Sequence, residues 1–187
     1  MKLFQLILLY TALAFGANAA LAGISDVAAL RSGTMKKLVV HASAKPVGTT
    51  LLGTMDGAET SLSDFRGKYL LVNFWATWCA PCLKEMPQLD ALQQEFGGED
   101  FQVLTIATGR NQPVAITRFF KKAAITALPV LTDAKQELAR EMDVLGLPVT
   151  LVLDRQGREV ARMVGDAEWY GDSARAIIAA LIADPAS

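Results

Sequence analysis

Soft metal ligands are scarce in this chain of 187 residues, which has two cysteines, Cys79 and Cys82, and one histidine, His41. Three such groups fall short of a four-coordinate structural zinc or iron–sulfur site. Copper held by Cys79, Cys82 and His41 is the remaining metal reading. It carries little, because His41 stands far upstream in a stretch without a firm structural pattern. Charge is sparse too. Only 20% of the residues are charged and the formal net charge is −1, which argues against a general nucleic-acid binder. No internal repeat is visible at any period, which excludes solenoids and propellers.

Apolar sequence, by contrast, is plentiful at 52%, part of it concentrated at the N-terminus. Met1-Lys2 precedes an apolar run from Leu3 to Phe15 broken by Gln5 and Thr11. Small residues follow, and both Ala17-Asn18-Ala19 and Ala20-Leu21-Ala22 fit a signal-peptidase site. A basic start, a short apolar centre and a small-residue exit predict a secretory signal over residues 1–22. The competing reading is an uncleaved anchor, since Leu3 to Ala22 approaches the roughly 20 residues that span a bilayer. The alanine-rich exit favours cleavage, and no cysteine follows the leader to carry a lipid. Either reading puts the body of the protein outside the cytoplasm.

A short helix is expected over Ser25 to Leu38, and Val39 to Lys45 reads as linker. Residues 23–45 thus join the leader to one domain over 46–187, a usual size for a single core. Thr49 to Met55 and Glu59 to Ser61 flank Asp56-Gly57, a hairpin pattern. Ser63 to Lys68 reads as one helical turn closed by Gly67. Tyr69 to Phe74 is almost continuously apolar, as a strand covered on both faces must be. From Ala80 to Phe96, Leu83, Met86, Leu89, Leu92 and Phe96 recur at helical spacing. Pro81 is tolerable in the first turn, Pro87 should kink the interior, and Gly97-Gly98 stops the helix. A strand over Phe101 to Ala107, a helix over Pro113 to Ala124, a short strand over Leu128 to Thr132 and a helix over Lys135 to Met142 follow. Val149 to Leu153 and Glu159 to Val164 form a hairpin about Asp154-Arg155-Gln156-Gly157. A helix over Ser173 to Ile182, with Ala176, Ile177, Ala180 and Leu181 inward, closes the chain. The order predicts an α/β fold, a mixed sheet with helices on both faces.

Phe74-Trp75-Ala76-Thr77-Trp78-Cys79-Ala80-Pro81-Cys82 is where the chemistry concentrates. A strand ending in Cys-x-x-Cys at the mouth of a helix reads as a dithiol/disulfide site. The positive end of the helix lowers the pKa of the first thiol, and the second stands near enough to close a disulfide with it. Cys79 is therefore the candidate nucleophile and Cys82, one turn in, the resolving thiol. A purely structural disulfide is poorly motivated, because so small a ring restricts little of the unfolded chain. Between the cysteines, Ala80 and Pro81 supply no charge or side-chain donor, and Pro81 has no N–H to offer a sulfur. That favours a reductant over a strong oxidant. Trp75 reads as core packing and Trp78, beside Cys79, as an apolar contact for a partner.

With its two tryptophans, its loop proline and Lys84-Glu85-Met86-Pro87 after it, the stretch resembles the TlpA/ResA/CcmG group of bacterial envelope thiol-disulfide oxidoreductases. Leu71 to Cys79 and the lead-in Lys36 to His41 look nearest to TlpA. The resemblance runs from about Pro46 to Asp184. It implies a thioredoxin-like fold with an N-terminal hairpin extension and a central insert within Pro113 to Met142. It implies a cis bond between Leu147 and Pro148, packed opposite the dithiol, with the Leu147 backbone free to pair with an incoming strand. It implies that Glu85 lies near the cysteines and tunes their acidity. Asn73 departs from the pattern of thioredoxin itself, which carries a buried Asp there, and leaves Glu85 as the substitute proton acceptor. The resemblance also implies periplasmic partners with cysteine pairs that accept copper or haem, a membrane electron carrier as reductant, and no cofactor beyond the Cys79–Cys82 disulfide. Two other classes are weaker. A peroxidase of the peroxiredoxin type needs a lone cysteine behind a threonine in a proline-containing pocket. A copper chaperone of this fold would add a histidine downstream of the cysteines, and none follows residue 41.

Overall fold

The computed structural model describes residues 27–184, so the predicted leader over residues 1–22 lies outside the described residues. Eight strands form one mixed sheet in the order β1-β8-β7-β4-β5-β6-β2-β3. In chain order the strands are β1 (Val39–Lys45), β2 (Leu52–Thr54), β3 (Glu59–Thr60), β4 (Tyr69–Trp75), β5 (Phe101–Thr108), β6 (Val130–Asp133), β7 (Val149–Leu153) and β8 (Glu159–Val164). The helices are α1 (Ala80–Phe96), α2 (Pro113–Lys122), α3 (Glu137–Glu141) and α4 (Asp172–Ala183), and 3-10 turns occupy Gly33–Lys37 and Leu62–Phe65.

Strand β4 is central and wholly buried, as its unbroken apolarity requires. It runs parallel to β5, with Asn73 opposite Thr105, and antiparallel to β7, with Asn73 opposite Thr150. Because side chains alternate along a strand, its two faces feed two cores. Tyr69, Leu71 and Trp75 join Met86, Leu89 and Leu92 of α1, Ile116 of α2 and Ile177, Ile178 and Leu181 of α4. Leu70, Val72 and Phe74 join Leu62, Leu138, Ala139 and Met142 on the other face. The expected α/β arrangement, with helices on both faces, is the one the chain adopts.

The β2–β3 hairpin turns about Asp56-Gly57 as expected, with Gly57 at φ +89. Helix α1 runs unbroken through Pro87, and the Met86, Leu89 and Leu92 stripe is buried along it.

Three expectations are corrected. Residues 39–45 are not linker: they form β1, pairing antiparallel with β8. Their burial pattern is mostly exposed, so the strand has no apolar alternation to reveal it, and its pairing comes from the neighbour it edges. The stretch read as one helix over Ser25 to Leu38 breaks after residue 30 into a separate 3-10 turn, with Gly33 at φ +54 in between. In α4 the buried face is Ala174, Ile177, Ile178 and Leu181, so Ala176 faces solvent and Ala180 is half-buried. Alanine is small enough to fit either side of a helix, and the larger isoleucine takes the core.

Candidate active site

The buried end of β4 delivers Trp75 into the core, where its ring packs against Phe119 and Phe120 of α2 at centroid distances of 5.7 and 5.8 Å. The chain then leaves the sheet for a short loop before α1 begins. Thr77 is held there by Asn111, whose Oδ1 accepts from the Thr77 backbone N–H at 2.8 Å and from Thr77 Oγ1 at 3.0 Å. Asn111 in turn donates from Nδ2 to the Thr108 carbonyl at 2.9 Å. The loop after β5 thus braces the loop after β4. No sequence motif marks Asn111 for that role; the two loops meet only because β4 and β5 are parallel neighbours.

Cys79 is the N-cap of α1, and its sulfur accepts from the Cys82 backbone N–H at 3.3 Å. The two sulfurs are bonded as a disulfide. Cys79 keeps 6% of its surface exposed and Cys82 none, so of the two residues Cys79 alone is open to solvent. Pro81 sits in the first helical turn, where its missing N–H has no intrahelical acceptor to lose. Trp78, beside Cys79, is 64% exposed, whereas Trp75 is fully buried.

One turn beyond Cys82 along α1, Glu85 is buried to 1% exposure. Asn73 donates from Nδ2 to Glu85 Oε1 at 2.8 Å and to Thr150 Oγ1 at 2.9 Å. The Ala167 backbone N–H reaches Glu85 Oε2 at 3.3 Å, and the Trp169 indole N–H reaches the same oxygen at 3.1 Å. Three donors favour the ionised carboxylate, yet removal from water outweighs them. Burial pushes the carboxyl up to about 7, and the nearby charge of Asp166 adds to the rise. The group is therefore poised between its two protonation states near neutral pH. A polar cavity of about 100 Å³, lined by Thr34, Lys84, Glu85, Gln88, Asp166, Ala167 and Glu168, lies against it. Sequence reading missed Trp169 and Ala167. A lone tryptophan within a polar stretch was the available signal, since a buried indole N–H needs an acceptor.

The Leu147–Pro148 bond is cis, Pro148 is buried, and Leu147 packs against the core cluster that contains Cys79 and Cys82. His41 stands apart from this site. Its Nε2 lies 2.7 Å from Glu159 Oε1, and Arg162 donates to the same carboxylate at 2.8 Å. No group of three or more His, Cys, Asp or Glu that could hold a metal ion occurs among the described residues.

Residues 40–178 match the Redoxin family model. Among relatives, the chain is 36% identical over 106 residues to the thioredoxin-like protein YneN of Bacillus subtilis. That match covers 57% of this chain and 62% of YneN, less than two thirds of that relative. It is 31% identical over 126 residues to the thiol-disulfide oxidoreductase ResA of Geobacillus kaustophilus, covering 65% of this chain and 71% of ResA. Among solved structures, a thiol:disulfide interchange protein of the thioredoxin family from Chlorobium tepidum superposes with a TM-score of 0.63 at 28% identity. It covers 76% of this chain and 99% of that one.

Proposed function

Because the chain belongs to the redoxin family, and within it to the TlpA/ResA/CcmG thiol-disulfide oxidoreductases, we propose that it works as a reductant of specific protein disulfides in the bacterial envelope. The observation that carries this reading is the pairing of an N-capping, reachable Cys79 with a buried Glu85 one turn beyond Cys82.

In the reduced protein, the Cys79 thiolate attacks one sulfur of a partner's disulfide. That S–S bond breaks, its leaving sulfur departs as a thiolate and takes a proton from water, and a mixed disulfide joins Cys79 to the partner. Cys82 then attacks the Cys79 sulfur while its proton passes to the Glu85 carboxylate, which at about 7 is matched to that task. The bond between Cys79 and the partner breaks, the second partner sulfur leaves as a thiolate and takes a proton from water, and Glu85 gives up the Cys82 proton to solvent. The partner has gained two electrons and two protons, and the chain holds the Cys79–Cys82 disulfide. A membrane thiol carrier supplies the two electrons that reset it.

Trp78 offers the partner an apolar contact next to Cys79, and the Leu147 backbone before cis-Pro148 offers an edge on which an extended substrate strand can pair. The partners are envelope proteins whose cysteine pairs must be reduced to take copper or haem. The basic, apolar and small-residue leader supports a periplasmic location, either free or held at the membrane. No helix among the described residues is long and apolar enough to cross a membrane.

Reduction of insulin by the dithiol protein tests the reading. Cys79→Ser should abolish turnover, and Cys82→Ser should accumulate a mixed disulfide with the natural partner in envelope extracts. Undiminished insulin reduction by Cys79→Ser would overturn the assigned roles.

A further inference from the structure

Between Asp100 and Asp133 the chain carries no acidic residue but four basic ones, Arg110, Arg118, Lys121 and Lys122. In a chain of net charge −1 this is a local concentration of one sign. The structure places it on the loop after β5 and on helix α2, which begins next to the loop that leads to Cys79. Helix α2 turns Ile116 inward, with Phe119, Phe120 and Ala123 packed against the same core. The opposite stripe is Val114, Arg118, Lys121 and Lys122, spaced by three and four residues, and all four are exposed. Arg110 is exposed on the loop that leads into the helix. None of the four cations makes an ion pair or side-chain hydrogen bond among the described residues. Lys121 and Lys122 offset the negative end of the helix dipole, but Arg110 and Arg118 stand outside the last turn and have no such role.

The stripe starts at the reacting end of the molecule. Asn111, two residues before α2, is hydrogen-bonded to Thr77, two residues before Cys79. Val114 is 69% exposed and Trp78 64%, so the first turn of α2 and the loop before α1 each carry an exposed apolar side chain. Strand β6 runs parallel to β5, so α2 must travel back along the sheet, carrying Arg118 and the two lysines away from the disulfide. A 10-residue helix extends only about 15 Å, which keeps the far end within two screening lengths of the near end at physiological salt.

We propose that the exposed face of α2, with Arg110, is a docking surface for an acidic segment of the protein whose disulfide reaches Cys79. This rests on Cys79–Cys82 being the reacting centre. The apolar pair Trp78 and Val114 receives the stretch around the partner's cysteines, and the basic stripe receives carboxylates flanking it. Opposite charge raises the encounter rate and fixes which way the partner lies, while the covalent step remains the property of the dithiol. A protein is favoured over an anionic membrane because the helix that bears the stripe begins two residues after Asn111, which is bonded to the loop that carries Trp78 and the reacting sulfur.

Three disulfide-bridged peptides that differ only in flanking residues, four Glu, four Ser or four Lys, test this with the full reduced protein. The Glu-flanked peptide should show a kcat/KM about tenfold above the Ser-flanked one at low salt, with the gap closing as salt rises. The Lys-flanked peptide should be the slowest. The triple variant R118E/K121E/K122E should invert the order while reducing the small neutral disulfide of hydroxyethyl disulfide at the wild-type rate. Equal rates for the three peptides, or an unaltered order in the variant, would overturn the proposal. So would retention on phosphatidylglycerol vesicles that depends on the stripe while the peptides are reduced alike, since the surface would then be a membrane contact. Failure of the wild type to reduce hydroxyethyl disulfide would instead overturn the reductase reading on which the proposal rests.

Discussion

Glu85 carries a carboxyl group into a place where charge is costly. Its environment favours the protonated form despite three donors, with the carboxyl pushed up to about 7 from an ordinary 4.5. The folded state therefore binds more protons than the unfolded state between those two values, and stability must fall as pH rises through that window. Below about 4.5 the stabilisation of the acid form is fully present; above about 7 it is gone. The size of the change is about 3 kcal/mol, at 1.36 kcal/mol per pKa unit. Urea unfolding of the disulfide form at pH 5 and pH 8 checks this without thiol titration. Glu85→Gln should unfold with a pH dependence shallower than the wild type's, and an identical difference between the two pH values would mean that Glu85 titrates normally. Asn73 shows why the carboxylate is on the helix rather than on the strand. An amide cannot accept a proton at neutral pH, but it can donate to a carboxylate that does.

At the scale of elements, the site is a meeting of loop ends. Helix α1 presents Cys79 because the helix starts where β4 leaves the sheet, and Asn111 holds that departure point from the neighbouring loop. Asn111→Ala should leave the half-buried Thr77 contacts unmet and cost roughly 1–2 kcal/mol of stability in denaturant unfolding. Asn111→Asp keeps the accepting oxygen and loses the Nδ2 bonds to the Thr108 and Gly109 carbonyls, so its loss should be smaller. Equal losses for the two variants would mean that the Thr77 contacts contribute nothing. Several elements were legible from the chain alone for a simple reason. The β4 strand, α1 and the β7–β8 hairpin each carry a strong local pattern: continuous apolarity, a helical stripe, and an Asp-Arg-Gln-Gly turn. Strand β1 carries none. Its side chains are mostly exposed, and only pairing with β8 makes it a strand.

For the whole molecule, that edge strand moves the boundary of the folded unit upstream of Pro46. Leu38 and Met35 are buried to 1% and 2% exposure, and Val27 to 2%. A chain beginning at Pro46 would lose this cover, leave the β8 edge unpaired and remove His41 from the Glu159 and Arg162 pair. It should be less stable than a chain beginning at Val27 by roughly 3 kcal/mol or more, from the lost apolar burial alone. Matching urea midpoints for the two chains would restore the linker reading of residues 39–45.

By itself, the sequence determined the disulfide pair, the helix that presents it and the alternation of strands and helices, because spacing along the chain is what sets a Cys-x-x-Cys motif and a buried stripe. Only the tertiary structure decided which groups surround Glu85. Asn73, Ala167 and Trp169 come from a central strand and a distant loop, and no local pattern encodes their convergence on one carboxylate. Removal from water is a property of the assembled core, so a proton affinity near neutrality exists only once that core has closed.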